Sequence, residues 1–376
     1  MITNTFFLRV TASCNLDCDY CYVFKHRDMS WKYMPAIIKK ETVIKFAERL
    51  KEYADKYLLK KLNIIFHGGE PLVCGENKIL EFIDIIDSIL GKEVQVSYSM
   101  QTNGTLLTES FLKICEQKNI GISLSIDGYK CIHDKHRKYK NGEGSFNDVM
   151  RGINILKKYP SVFEGVIGVI DPTSEPEKIL SFFDELNIEN VDLLLPDSTY
   201  MDLPEGRDKQ PELYTKWLIK AFDSWFFNHQ SIQLRTFEHI LISLLGKESS
   251  LDAFGLGNLD YLTIETDGTY HTSDILKVAY ENASFIGFDV NEGSIEDALN
   301  SEKVKEYNEL LSVGKLPSKC KKCIYSEICG GGSLPHRYNE NTRFDNPSIY
   351  CNEIYSLISH ASNVVESALN EEDENV

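Results

Sequence analysis

No stretch of this chain approaches the roughly 18 consecutive apolar residues of a membrane-spanning helix. Signal-peptide architecture is also missing, because Met1-Ile2-Thr3-Asn4 leads directly into a strand pattern at Thr5. A cytoplasmic location is therefore expected, with no membrane partner. A basic excess is absent too. The 376 residues hold 40 Lys and Arg against 57 Asp and Glu, a net charge of −17, which argues against nucleic acid and anionic lipid as partners. Part of that charge sits in the tail, residues 370–376, which reads as frayed. There is no internal repeat and no other low-complexity segment. What remains, 42% hydrophobic and 26% charged, is ordinary globular composition with room for a large α/β domain and a smaller one.

Ten cysteines in a chain expected inside the cell read as metal ligands or catalysts before disulfides. Cys14, Cys18 and Cys21 form a C-x3-C-x2-C array. It offers a four-iron cluster three thiolates and leaves one iron open; a zinc knuckle or three unrelated core thiols is the alternative. Cys320, Cys323 and Cys329 form C-x2-C-x5-C, with Cys351 further on. Those four can fully ligate a second [4Fe–4S] cluster, or a structural zinc ion. Cys74, Cys115 and Cys131 stand alone and read as small buried hydrophobes.

Short β-branched and aromatic runs alternate with segments of helical period over the first 200 residues or so. Strands are expected at Thr5–Val10, Leu62–Phe66, Gln95–Gln101, Gly121–Ile126, Gly165–Ile170 and Val191–Leu195. Helices are expected near Glu41–Lys56, Asn77–Leu90, Glu109–Gln117, Ser145–Lys158 and Glu177–Leu186. This alternation predicts a parallel sheet with right-handed crossovers. An open doubly wound sheet and a partial barrel both fit, and both gather ligands at the carboxyl ends of the strands. Beyond residue 205 the pattern changes to helices at Tyr214–Phe227 and Phe237–Leu245, then a hairpin turning at Asp267-Gly268. The stretch Cys320–Cys351 has so little core that metal is expected to hold it together.

The motifs fall just after strands. In His67-Gly68-Gly69-Glu70-Pro71-Leu72, the glycines allow backbone to approach a ligand closely, and Glu70 can accept a hydrogen bond from an ammonium group. A plain strand-to-helix turn is the alternative. Gln101-Thr102-Asn103-Gly104 is polar where the third strand ends. After the fourth, Ser125 is placed to bond a ribose or carboxylate and Arg137 to pair with a carboxylate, while Asp127-Gly128 equally suits a turn.

Taken together, Cys14/Cys18/Cys21, Gly68-Gly69-Glu70-Pro71, Gln101-Thr102-Asn103-Gly104 and Ser125-Ile126-Asp127-Gly128 resemble the radical S-adenosylmethionine (SAM) superfamily. Cys320/Cys323/Cys329 with Cys351 resembles its SPASM extension, found in enzymes that modify peptides and proteins. The resemblance implies a partial (β/α)6 radical SAM barrel over 1–230 and a cysteine-rich SPASM-like domain over 231–376. It implies one [4Fe–4S] cluster that binds SAM and one auxiliary [4Fe–4S] cluster. SAM contacts would fall to Tyr20, Gly68, Gly69, Glu70, Gln101, Asn103, Ser125 and Arg137. Within the superfamily, Tyr22-Val23-Phe24 through Ser30-Trp31, Leu193-Leu194-Leu195-Pro196, Ile264-Glu265-Thr266-Asp267-Gly268, Pro335-His336-Arg337-Tyr338 and Phe344 through Cys351 resemble the cyclophane-forming maturases of ribosomally made peptides.

Two departures stand out. A full SPASM domain like that of the anaerobic sulfatase maturases has seven cysteines and two auxiliary clusters. Here the next cysteine would fall at Ser333, and the earlier pair is missing from Thr269–Asp274. Two clusters per chain are therefore expected, not three. A separate leader-binding domain is also not expected ahead of Thr5.

The resemblance implies reductive cleavage of SAM and hydrogen abstraction from a side-chain β-carbon of a precursor peptide. Attack on an aromatic ring would then close a carbon–carbon crosslink. Asp197, Asp267, His271 and Asp274 are the candidate proton acceptors, and a flavodoxin- or ferredoxin-type protein the electron donor. Thioether formation and sulfatase-maturase-like oxidation are the alternatives, followed by a non-enzymatic iron–sulfur or zinc protein.

Overall fold

The computed structural model describes residues 2–247, 254, 256–257 and 260–373. In chain order the first elements are β1 (Thr5–Thr11), α1 (Lys40–Tyr57), β2 (Lys61–Gly68), α2 (Glu76–Leu90), β3 (Gln95–Thr102), α3 (Glu109–Lys118) and β4 (Ile120–Ser125). They continue with α4 (Lys130–His136), α5 (Phe146–Leu156), β5 (Phe163–Val169), α6 (Pro176–Glu185) and β6 (Asn190–Leu194). Each expected strand and helix of this half is present, within about two residues of its expected ends. Next come α7 (Leu213–Asn228), β7 (Gln233–Leu234), α8 (Arg235–Leu244), β8 (Tyr261–Ile264), β9 (Thr269–His271) and β10 (Phe285–Asp289). A long C-terminal helix, Cys351–Asp373, runs into the acidic stretch expected to fray; only 374–376 of that tail lie outside the described backbone.

The chain divides into two compact units. One comprises Met1–Ile126, His133–Val166 and Leu259–Tyr307; the other comprises Asp127–Ile132, Ile167–Asn258 and Asn308–Val376. A single boundary at 230 does not describe this arrangement. The reason is strand pairing: β8 lies parallel to β1, with Thr5 opposite Tyr261 and Leu8 opposite Ile264, so the segment after 258 belongs with the N-terminal strands.

In the first unit the sheet order is β10-β9-β8-β1-β2-β3-β4. β1, β2, β3 and β4 pair in parallel, and β8-β9-β10 turn antiparallel. The order β1-β2-β3-β4 follows the sequence without the reversal that defines a doubly wound sheet. That agrees with the barrel-type alternative. Helix α1 buries Val43, Phe46, Ala47, Leu50 and Ala54, an i, i+3, i+4, i+7 stripe. It packs on α2, and Phe46 meets Phe6 of the sheet edge-on. Burying each of the larger of these side chains, such as Val43, Phe46 and Leu50, stabilises the fold by about 1.5–3 kcal/mol.

In the second unit β6 pairs in parallel with β7. Helix α7 buries Tyr214, Trp217, Leu218, Phe222 and Trp225, packing on α6 and on the C-terminal helix. The segment Cys320–Cys351 holds only short turns. No helix of the described residues is long and apolar enough to cross a membrane.

Candidate active site

Strand β1 ends at Thr11, and the loop beyond it carries Cys14, Cys18 and Cys21, all free and part-exposed. Burial pushes the Cys14 thiol up to about 12 and raises the Cys21 thiol as well. These groups are therefore protonated until a metal displaces the protons.

The glycines after β2 serve this loop. Gly69 N–H donates to Thr11 O and Glu70 N–H to Ser13 O, both at 3.0 Å. A Cβ on Gly69 would stand 2.1 Å from Ser13 O, and one on Gly68, whose φ is +148°, 2.5 Å from Thr11 O. The close approach read from the sequence is thus an approach to the cysteine loop. Glu70 is buried and accepts from Leu72 N–H (3.1 Å), Thr102 Oγ1 (2.7 Å) and Asn103 N–H (2.7 Å). Three of the four or so lone-pair positions of a carboxylate are used, leaving capacity for one further donor such as an ammonium.

Asn103 donates from Nδ2 to Asn15 Oδ1 at 2.9 Å and lies 3.8 Å from Cys14 Sγ. Gln101 Nε2 donates to Ser125 Oγ at 2.9 Å, joining the ends of β3 and β4. Tyr20 faces His136, and the Arg137 guanidinium lies 5.5 Å from the Tyr20 ring centre. All eight residues expected to contact SAM therefore lie in the first unit with the three cysteines.

The fold also assembles a buried charge network that sequence reading missed. Arg9 of β1 donates from Nη1 to Asp274 Oδ2 and from Nη2 to Gly68 O (3.1 Å), and pairs through Nε with Glu265 at 3.4 Å. Lys277, equally buried, pairs with Glu265 at 2.6 Å. Tyr22, next to Cys21, donates its hydroxyl to Asp274 Oδ2 at 2.9 Å. Burial alone would push the Glu265 carboxyl up, but Arg9 and Lys277 outweigh it and hold the group at about 2. A signal for this network was present: Arg9 interrupts the apolar run Phe6-Phe7-Leu8-Arg9-Val10, and an arginine there needs a carboxylate.

The four candidate proton acceptors fare differently. Asp267 Oδ1 accepts from Thr269 N–H at 3.0 Å and from its hydroxyl at 2.6 Å, which closes the β8–β9 turn. His271 is buried, with Nδ1 2.9 Å from Ser284 Oγ and Nε2 3.0 Å from Thr269 Oγ1; burial pushes it down to about 4. Both are committed to the hairpin. Asp274 gives one oxygen to Arg9 and Tyr22 and keeps the other. Asp197 belongs to the second unit, part-exposed, 3.8 Å from His336 Nε2.

In the second unit Cys320, Cys323, Cys329 and Cys351 line one cavity of about 260 Å³, with Lys319, Tyr325 and Tyr355 at its wall. Among the described residues no three Cys, His, Asp or Glu side chains converge as a single metal ion would require. Four thiols around one cavity offer a complete ligand set to a [4Fe–4S] cluster or to a zinc ion. Ser333 is buried here without a thiol. Cys74 and Cys115 are buried as expected; Cys131 is exposed on α4, contrary to expectation, because its position on that short helix faces outward.

The sequence profile of the radical SAM superfamily matches residues 8–183. A cysteine-type anaerobic sulfatase-maturating enzyme of Clostridium novyi is 28% identical over 357 residues, 92% of each chain. A serine-type anaerobic sulfatase-maturating enzyme of Bacteroides thetaiotaomicron is 24% identical over 94% of this chain and 88% of its own. Among solved structures, native anSMEcpe with bound AdoMet matches with TM-score 0.84 and 25% identity, covering 98% of this chain and 99% of that one. Streptococcus suis SuiB bound to precursor peptide SuiA shares the fold at TM-score 0.59 and 14% identity, over 93% of this chain and 76% of that one.

Proposed function

Since this chain is a radical SAM enzyme of the kind that modifies peptides or proteins, we propose that it oxidises a Cys or Ser side chain of a peptide or protein substrate. The observation that carries this reading is likeness over nearly the whole chain to maturases whose names state those residue types. The sequence motifs alone favour the cyclophane crosslink, and one observation keeps that as the second reading. Ser333 and Thr269–Asp274 stand where a full SPASM domain carries inner-cluster thiols, so the machinery differs from that of a sulfatase maturase. In either reading the substrate loses a hydrogen atom, then one electron and one proton.

Cys14, Cys18 and Cys21 would hold the first cluster, and Tyr20, Gly68, Gly69, Glu70, Gln101, Asn103, Ser125 and Arg137 would hold SAM. When bound, that pair supplies the 5′-deoxyadenosyl radical that takes the hydrogen atom. The glycine turn fixes the cysteine loop against β2, and Asn103 braces it from β3. Asp274 Oδ1 is the proton acceptor, because Arg9 and Tyr22 hold the carboxylate by its other oxygen. Cys320, Cys323, Cys329 and Cys351 would hold the auxiliary cluster. An external flavodoxin- or ferredoxin-type protein would deliver the electron that starts each cycle.

Anaerobic reconstitution should give about eight irons per chain and 5′-deoxyadenosine from SAM under strong reductant. Alanine at Cys14, Cys18 and Cys21 should remove cleavage and leave about four irons. Iron near four in the unmodified chain would sink the auxiliary cluster. Tandem mass spectrometry of a co-expressed substrate separates the two readings. A change confined to one Cys or Ser supports the first; loss of two hydrogens spanning an aromatic residue and a neighbour replaces it with the second.

A further inference from the structure

Arg337 ends the short turn Pro335–Arg337 in the second unit and is completely buried. All the hydrogen bonds of its guanidinium go to main-chain carbonyls. Nε and Nη2 donate to Phe344 O at 3.1 and 3.0 Å, and Nη1 donates to Leu310 O at 2.9 Å. Arg9 in the first unit is just as deeply buried, but two carboxylates neutralise it. Among the described residues Arg337 forms no such ion pair. A cation taken out of water without a counter-charge is strongly disfavoured, so its placement demands an anion.

The cysteine cavity is where that anion belongs. Gly331 lines the cavity, and a Cβ on Gly331 would lie 3.6 Å from Arg337 Nη1. The guanidinium thus stands behind the cavity wall. Burial pushes Arg337 below its ordinary value; Cys320 pulls hardest the other way, ahead of exposed Asp345 and then Cys329.

We propose that Arg337 is the counter-cation of the iron–sulfur centre held by Cys320, Cys323, Cys329 and Cys351, and that its charge raises that centre's reduction potential. The proposal rests on the reading of those cysteines as ligands of a [4Fe–4S] cluster. A four-iron cube with four thiolates is an anion, and one added electron makes it more negative. A fixed positive charge in a low-dielectric surrounding stabilises the reduced form more than the oxidised form. The step is a single electron entering the cluster with no proton. Its source is the electron that either proposed oxidation must remove from the substrate. Arg337 is therefore a positioning residue that biases the auxiliary cluster towards accepting that electron, beyond any scaffolding role.

The test uses the full chain with Cys14, Cys18 and Cys21 changed to Ala, so that only the auxiliary centre reports. Iron content is read first. Absence of iron, or zinc in its place, overturns the cluster reading on which the proposal stands. With iron present, Arg337→Lys and Arg337→Gln are compared by redox titration followed by electron paramagnetic resonance. Both substitutions break the fork of carbonyl hydrogen bonds, but only Lys keeps the charge. The expected result is a midpoint near the parent's in Arg337→Lys and a lower one in Arg337→Gln, with the same spectral shape. Loss of iron in Gln but not in Lys supports the same charge requirement. Equal shifts in both variants, equal iron loss in both, or no shift in Gln overturns it.

Discussion

Glu70 satisfies three protein donors with two oxygens, and that fixes what a substitution there does. In Glu70→Gln one oxygen becomes an NH2 that must face Leu72 N–H and Thr102, or Asn103 N–H. A donor then meets a donor. We expect a loss of about 1–3 kcal/mol in stability by chemical denaturation, together with weaker SAM binding by calorimetry. Unchanged stability would show that Glu70 is not the brace described. Asp274→Asn has a different signature. Removing a general base lowers turnover by about 10²–10⁴-fold, while 5′-deoxyadenosine still forms from SAM. If peptide turnover persists at the parent rate, the proton leaves by another route. The two candidate cysteine arrays, Cys14/Cys18/Cys21 and Cys320/Cys323/Cys329, were readable from the sequence because their spacing is local. Asp274 was not separable from Asp267 and His271, since the distinction depends on Arg9 and Tyr22, over 250 residues away in sequence. Arg337 was visible only as part of a motif; its burial with no ion pair among the described residues is a tertiary fact.

At the scale of elements, β1 to β6 and helices α1, α2, α3, α5 and α6 were legible because each carries an apolar period; the short α4 was not. The hairpin was also legible from Asp267-Gly268. What the pattern could not show was that β8 joins β1 in parallel, because register between distant strands has no local signature. The glycine turn was seen but its partner was not. Gly69→Ala tests the assignment. Its Cβ would meet Ser13 backbone that cannot swing aside. Overpacking of this kind costs about 1–3 kcal/mol, and the displaced cysteine loop should take up less iron at the first site. Iron uptake equal to the parent's would detach the turn from the loop.

Across the whole molecule, the titratable groups make stability fall on the acid side. Burial holds His67, His271 and His336 at about 4, below the ordinary 6.5. The unfolded chain then binds more protons than the folded one between those values. Their contribution is present in full above about 6.5 and is lost as pH falls towards 4. Glu265, held at about 2 against an ordinary 4.5, adds stability above 4.5 that is lost from there down to 2. Between pH 6.5 and 4 the thermal midpoint of the metal-free chain should drop progressively; above about 9 the buried thiols, Cys14 among them, lower it again. A midpoint that rises on acidification from 6.5 to 4 would contradict this assignment.

The pairing of β1 with β8, and of Arg9 with Glu265 and Asp274, also sets an order of events during synthesis. The cysteine loop is made long before its partners, and the strand before it gains its outer neighbour only after Ile264 has been made. Until Asp274 follows, Arg9 is a cation stranded in an apolar strand, and Tyr22 beside Cys21 lacks its acceptor. Pairings so remote in sequence form late. The seat of the cysteine loop is therefore completed only after Asp274 has been made, and iron and sulfide are best delivered after that point.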